Sequence, residues 1–312
     1  MPSLTRPKGL IPGVFTAFKE NYEYDEERHR EHFTWLIDVA KVDGFSITSG
    51  VGEFYALTHE EWKRCQEVGV EVAHGRVQVW SNLGAESYEK TLRMAEAARA
   101  AGVDGLRIIN PYYVQPRPEG LFEYYRDLAR ALPDISIMIY PAELSRPFPV
   151  EVVLKLSDVS NIIGLKIPPN WKVADLVTVH ALTHGKGFTI VPSQLTMFHY
   201  FRRAGISLDA SIEPLTQVAP DLCRKIFVSA IQGKNDEGFE ATRELVQLRR
   251  GLATNMENIP SQFKYAMRLL GRSVGPVRRP LVEPSPVEKE KIKATLIGAG
   301  LLKEALAKPI ES

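Results

Sequence analysis

The stretch IIGLK at residues 162–166 decides the fold, because it is an apolar run of strand length that ends in a lysine. It has no polar face, which is typical of a strand buried on both sides in a parallel sheet. Seven other apolar or β-branched runs of similar length occur along the chain: GVFTAF (13–18), GFSIT (44–48), VQVWSN (77–82), GLRIIN (105–110), SIMIY (136–140), FTIVPS (188–193) and SLDASI (207–212). The sequence therefore predicts eight strands.

Helical segments separate these runs. In SYEKTLRMAEAARAAG, for example, Leu92, Ala95, Ala98 and Ala101 fall on one helical face, and Gly102 is placed as a C-terminal stop. Eight alternating strand–helix units predict an α/β fold, a (β/α)8 TIM barrel, with an open doubly wound sheet as the alternative.

The chain continues beyond the eighth unit with further segments of helical period, such as DEGFEATRELVQLRRGLAT and IPSQFKYAMRLLG. We therefore expect a barrel catalytic domain over residues 1–233 and a C-terminal helical extension over residues 234–312.

The charge balance excludes some function classes. Lys and Arg total 39 and Asp and Glu total 38, so a net charge of +1 gives no long-range field for nucleic acid or an anionic membrane. Cys65 and Cys223 lie far apart and outside any metal-ligand pattern, so we expect no metal site and no disulfide. Two free thiols, and an N-terminus with too short an apolar core for a signal peptide, predict a cytoplasmic protein.

The predicted strand ends carry a consistent set of chemical groups. Lys166 ends strand 6, Tyr140 ends strand 5, Ser193 ends strand 7, and the glycine-rich TSGVGE (48–53) follows strand 2. In a barrel these ends meet at one rim, where the active site lies.

A lysine amine attacks a carbonyl only when it is neutral, and a partly desolvated, organised site provides that state. The set therefore favours imine chemistry on a 2-oxo acid, with Lys166 as the nucleophile and Tyr140 as the proton carrier. The candidates for holding the substrate carboxylate are backbone donors of the strand 2 loop and polar side chains of the rim: Gly50, Val51, Gly52, Arg146, Ser193 and Ser211.

In this order and spacing, the motifs resemble the dihydrodipicolinate synthase and N-acetylneuraminate lyase family, from GVFTAF to RRPL. The resemblance is carried by Gly52 and Glu53, PYYVQP with EGLFEYY, Tyr140, GLK (164–166) and NIPSQFKYAMRLLG (258–271). It implies a barrel with C-terminal helices, commonly a homotetramer built as a dimer of dimers, that uses no metal or organic cofactor. It also implies Lys166 as the Schiff-base residue, Tyr140 as the proton-transfer residue, and Tyr113 as the tyrosine that reaches into the neighbouring subunit's site.

The sequence departs from the family pattern at three places. After Tyr140, Pro141, Ala142 and Glu143 replace the usual Asn-x-Pro, which bears on the loop shape and on any carboxylate-binding role of Arg146. Gly50 and Val51 replace the two threonines usual after strand 2, so the hydroxyl that ordinarily links the two tyrosines is missing. Leu208 stands where strand 8 usually has glycine, and is expected to narrow the pocket, with Asp209 adding a charge nearby. These departures favour another lyase, aldolase or dehydratase of the family over the lysine-biosynthetic synthase.

The leading prediction is therefore a Schiff-base-forming lyase that acts on pyruvate or a related 2-oxo acid. One alternative is a catalytically silent barrel that serves as a binding or scaffold subunit, which the missing hydroxyls favour and the presence of Lys166 and Tyr140 opposes. A phosphate-binding barrel would need a glycine-rich helix N-terminus after strand 7 or 8, and PSQLTMF and SIEPLTQ do not supply one.

Overall fold

The computed structural model describes residues 4–141, 148–167, 171–206, 208–253 and 258–303. Within these ranges, eight parallel strands alternate with eight helices, and three more helices follow. The strands are β1 (Gly9–Ile11), β2 (Gly44–Ile47), β3 (Gln78–Leu83), β4 (Gly105–Ile109), β5 (Ser136–Tyr140), β6 (Ile162–Lys166), β7 (Thr189–Val191) and β8 (Ala210–Ile212). The helices are α1 (Glu26–Asp38), α2 (His59–Ala73), α3 (Tyr88–Ala101), α4 (Pro118–Ala131), α5 (Val150–Leu156), α6 (Val173–Thr183), α7 (Leu195–Arg203), α8 (Pro220–Gln232), α9 (Asn235–Leu252), α10 (Ile259–Leu269) and α11 (Pro286–Gly298).

The strands close into a barrel. Neighbours β2 to β7 pair in chain order, and β1 pairs with β8. The two groups are joined on one side by the N–H of Ser46, which donates to the carbonyl of Pro12 at 2.9 Å, and on the other by the N–H of Ile212, which donates to the carbonyl of Pro192 at 3.2 Å. The predicted (β/α)8 fold is confirmed.

Local sequence explains where the helices begin and end. Thr58 and Glu61 form a reciprocal capping box at the start of α2, and Ser285 and Glu288 form another at the start of α11. Gly102 ends α3 in the left-handed region, with φ of 88°, as its position in the sequence predicts.

The first strand lies earlier in the chain than the run GVFTAF predicts. β1 ends at Ile11, because Pro12 has no N–H to continue the ladder. Beyond it, Gly13 forms an isolated bridge with Ser46 and Phe18 forms another with Tyr24. Phe15 of this run packs against the C-terminal extension instead, because its ring meets the ring of Phe263 edge to face, with the centroids 6.2 Å apart.

Two apolar layers follow from the alternation of side chains along the strands. The smaller fills the barrel interior, with members such as Trp80, Met138 and Val191, and the larger lies between the barrel and its helices. The larger layer also contains residues of α9, α10 and α11, so the extension shares its core with the barrel. The division between residues 233 and 234 stays a prediction. Among the helices of the described ranges, none combines the length and the apolar character that crossing a bilayer requires.

Candidate active site

Lys166 is the last residue of β6 and is only 5% exposed. Its neighbour Leu165 packs in the layer between barrel and helices, so the lysine side chain faces the barrel interior. No carboxylate of the described residues lies within 4.0 Å of its amino group. The amine is therefore buried without an ion-pair partner in this part of the chain.

A β-bulge determines this orientation. Ile137 of β5 lies opposite Ile162, but Met138 lies opposite Gly164, so β6 contains one extra residue at this point. A Cβ atom on Gly164 would lie 2.3 Å from the carbonyl oxygen of Thr189 on β7. Glycine is required there, because the two strands approach too closely for a side chain.

Tyr140 is the residue next to Lys166 in the site. It ends β5, and the Nζ atom of Lys166 lies 4.3 Å from the centroid of its ring. An amine over an aromatic face at this distance is a cation–π contact when it is protonated. The two residues that the sequence places at adjacent strand ends are thus brought together by the fold.

A buried arginine contacts the same ring, and the sequence analysis missed it. Arg107, in the middle of β4, places its Cζ atom 4.5 Å from the Tyr140 centroid and is 1% exposed. Burial lowers the pKa of its guanidinium to about 10, which leaves it charged at neutral pH. The signal in the sequence is a charged residue inside the apolar run GLRIIN.

The loop after β2, at the same rim of the barrel, offers two backbone donors. Within the described residues, the N–H groups of Gly50 and Val51 have no acceptor, whereas those of Gly52 and Glu53 donate to the carbonyls of Ser49 and Gly50 at 2.9 and 3.1 Å. Unused N–H groups at a strand end suit a carboxylate. Of the three predicted backbone positions, the first two are therefore available.

The end of this loop is held by the C-terminal extension. Glu53 is fully buried with φ of 56°, and its carboxylate pairs with Nζ of Lys264 at 2.6 Å and accepts the N–H of Arg278 at 2.8 Å. The Arg278 guanidinium also donates to both carboxylate oxygens of Glu61 at 2.6 Å. Burial lowers the pKa of Lys264, while Glu53 opposes that shift.

Strand 8 differs from its prediction. β8 begins at Ala210, so Leu208 and Asp209 precede the strand and lie at the opposite end of the barrel from the site. The expectations that Leu208 narrows the pocket and that Asp209 adds a charge to it are wrong. Ser211 lies between two interior residues, opposite Leu10 of the outer layer, so its side chain faces the helices rather than the site.

The remaining predicted site residues, Ser193, Tyr113 and Arg146, differ in their positions. Ser193, half-buried, follows β7 two residues beyond Val191, the register partner of Lys166. Tyr113 is 84% exposed in the loop after β4 and is not part of this cluster within one chain. Arg146 lies outside the described residues.

Comparison with known proteins agrees with this geometry. A model of the dihydrodipicolinate synthetase family matches residues 6–299. A 4-hydroxy-tetrahydrodipicolinate synthase from Bartonella bacilliformis is 31% identical over 301 residues, which cover 95% of this chain and 99% of that protein. The enzyme of the same name from Rhodospirillum centenum is 28% identical, again over 95% of this chain and 99% of the relative.

Solved structures give the same result. A crystal structure of dihydrodipicolinate synthase superposes with a TM-score of 0.85 at 27% identity, covering 95% of this chain and all of that one. A prophage protein of the dihydrodipicolinic acid synthase family from E. coli K12, in complex with pyruvate, superposes with a TM-score of 0.85 at 25% identity, over 94% of this chain and 99% of its own. The predicted lyase is confirmed, and none of these proteins supports the silent alternative. The chain belongs to the dihydrodipicolinate synthetase family, whose members are lyases that form a Schiff base with pyruvate or a related 2-oxo acid.

Proposed function

We propose that Lys166 forms the Schiff base and that Tyr140 transfers protons during its formation and use. The observation that carries this proposal is the 4.3 Å approach of the Lys166 amine to the Tyr140 ring, in a site with no described carboxylate beside the amine. No described carboxylate holds the amine in an ion pair, so its nitrogen can approach a substrate carbonyl beside the phenol that is proposed to move protons.

The reaction begins when the Lys166 amine attacks C2 of the 2-oxo acid. The carbonyl oxygen leaves as water after it has received two protons, and the nitrogen forms a double bond to C2. The protonated imine then accepts the electron pair of a breaking C–H or C–C bond at C3. Tyr140 is placed to carry protons in these steps, because its ring lies against the lysine.

The substrate carboxylate is held by the N–H groups of Gly50 and Val51, with the Ser193 hydroxyl as a further donor. Arg146 remains a candidate for the same role. Gly50 lacks the threonine hydroxyl that links the two tyrosines in the family pattern, so a water molecule carries the proton between them. This change favours an aldolase, lyase or dehydratase of the family other than the lysine-biosynthetic synthase.

The assembly is part of the proposal. Tyr113 exposes 84% of its surface, next to Tyr112 and Val114, which are also exposed. A large exposed aromatic side chain between apolar neighbours suits contact with a second copy of the chain. We place Tyr113 at such an interface in a homodimer or homotetramer, and the enzyme in the cytoplasm, where its two buried free cysteines stay reduced.

The experiment is mass spectrometry of the protein after incubation with pyruvate and borohydride, with peptide mapping of the adduct. We expect one reduced pyruvate adduct on Lys166, its loss in Lys166→Met, and its retention in Lys155→Met, a change at an exposed position on α5. An adduct on another lysine would reassign the nucleophile. A wild-type protein that forms no adduct with pyruvate or larger 2-oxo acids would refute the proposed function.

A further inference from the structure

Arg107 is a cation inside the barrel, where an apolar side chain would lose less solvation free energy on burial. Its strand neighbours Leu106 and Ile108 pack in the outer layer, so Arg107 points into the interior. A buried guanidinium loses its hydration and destabilises the fold unless something compensates for it.

The compensation comes from neutral groups. Nη1 of Arg107 donates to the Ser46 hydroxyl oxygen, which also accepts a hydrogen bond of 2.9 Å from Nδ2 of Asn82. No Asp or Glu of the described residues lies within 4.0 Å of the guanidinium, and its Nε has no acceptor among them. The remaining contact is with the face of the Tyr140 ring, at 4.5 Å.

The Tyr140 ring is therefore contacted by the Arg107 guanidinium from β4 and by the Lys166 nitrogen from β6, which carries a positive charge in the protonated imine. Two cations near one ring, without a described carboxylate, raise the energy of the site through like-charge repulsion. The same arrangement becomes favourable when the phenol gives up its proton, because the ring then carries negative charge and attracts both cations more strongly.

We infer that Arg107 is a positioning residue for the reaction: it fixes the ring of Tyr140 against Lys166 and stabilises the negative charge that develops on the phenol during proton transfer. Ser46 and Asn82 hold the guanidinium in place. The inference rests on the proposed roles of Lys166 and Tyr140, but it assigns a function to a residue that does not itself touch the reacting atoms.

The test separates imine formation from proton transfer. Pyruvate bound as an imine loses a C3 proton to become the enamine and takes up a deuteron in D₂O, so proton NMR of the methyl group measures proton transfer with pyruvate alone. Borohydride trapping with peptide mapping measures imine formation at Lys166. Both are measured on wild type, Arg107→Gln, Arg107→Met, Arg107→Lys and a neighbouring control, Met138→Leu.

We expect Arg107→Gln and Arg107→Met to lower the exchange rate by about 10-fold or more while the final yield of trapped adduct stays within about threefold of wild type. Arg107→Lys should restore most of the exchange, because it returns the charge, and Met138→Leu should exchange as wild type does. Gln keeps a donor for Ser46 and is the variant to rely on if Met unfolds the barrel.

Wild-type exchange in Arg107→Gln would overturn the inference. A loss of exchange that Lys does not restore, or one that parallels a loss of adduct and of folded protein, would also overturn it by assigning Arg107 a structural role. Failure of the proposed function is recognised separately, since wild type itself would then form no adduct.

Discussion

Glu53 and Lys264 form an ion pair of 2.6 Å in which neither side chain is more than 1% exposed. The pair joins the loop that follows β2 to helix α10, so the extension is attached directly to the rim of the active site. Removing one partner leaves the other charge buried and unpaired. Such a loss costs about 3–5 kcal/mol of unfolding free energy.

We therefore expect Glu53→Gln to lower the free energy of unfolding by about that amount and to reduce adduct formation with pyruvate, because the Gly50 and Val51 donors are displaced. Urea unfolding and borohydride trapping measure the two effects. Lys19→Met, which removes the exposed pair of Lys19 with Glu23, is the control and should cost less than about 1 kcal/mol. An equally small cost for Glu53→Gln would contradict the anchoring role.

Two glycines of the same loop should respond differently to a methyl group. A Cβ atom on Gly52 would lie 2.7 Å from the carbonyl oxygen of Val14, whereas a Cβ atom on Gly50 meets nothing within 4 Å. Gly52→Ala should cost about 1–3 kcal/mol and raise the pyruvate concentration needed for half-maximal trapping. Gly50→Ala should change the stability and the half-maximal pyruvate concentration only slightly. Thermal melts measure the first quantity, and trapping titrations measure the second. Equal effects of the two changes would show that the loop is not packed as described.

Tyr140→Phe removes the hydroxyl and keeps the ring. The contacts of Lys166 and Arg107 with the aromatic face persist, so the fold should be retained and the imine adduct should still form, but more slowly. Proton transfer should fall by about 10² to 10⁴, which the methyl exchange of pyruvate in D₂O measures. Tyr200→Phe, at an exposed position on α7, serves as the control. Near-wild-type exchange in Tyr140→Phe would assign proton transfer to another group.

Acid should destabilise the protein partly through His32. Burial lowers the pKa of this imidazole to about 4, while Gln217, whose Oε1 lies 2.7 Å from Nε2, opposes the shift. The unfolded chain takes up this proton near pH 6.5. Between these two pH values the unfolded state binds more protons, so stability is full above pH 6.5 and falls as the pH approaches 4.

The contribution of His32 amounts to about 3 kcal/mol over that interval. His32→Gln should therefore show a smaller loss of unfolding free energy than wild type between pH 6.5 and 4, with a constant difference between the two proteins above pH 7.5. Urea unfolding across this range measures it. Parallel pH dependences would show that His32 does not titrate as described.

The sequence predicts the central strands and the pair of reacting residues well. β5 and β6 have the predicted bounds, because each is a continuous apolar run between helices, and their last residues are Tyr140 and Lys166. Parallel strands place their ends at one rim, so adjacency in the fold follows from position in the pattern.

The errors have physical causes. Pro12 ends the first strand before the apolar run GVFTAF, which the pattern predicts as that strand. β8 begins after Leu208 and Asp209, so these two residues lie at the opposite end of the barrel from the active site. Hydropathy does not give the register of a strand. Arg107 and Lys264 escaped notice for a related reason, since the partners of a buried charge are known only when distant segments are packed together.

The bulge in β6 makes the chemistry depend on how this strand pairs with β5. If the same five residues paired without the bulge, Lys166 would share the outward face of Ile162, and its amine would point towards the helix layer, away from Tyr140. The hydropathy of the strand and the identity of Lys166 would be unchanged, yet no nucleophile would stand at the rim. The irregularity at Gly164 is thus as necessary to the site as the lysine itself.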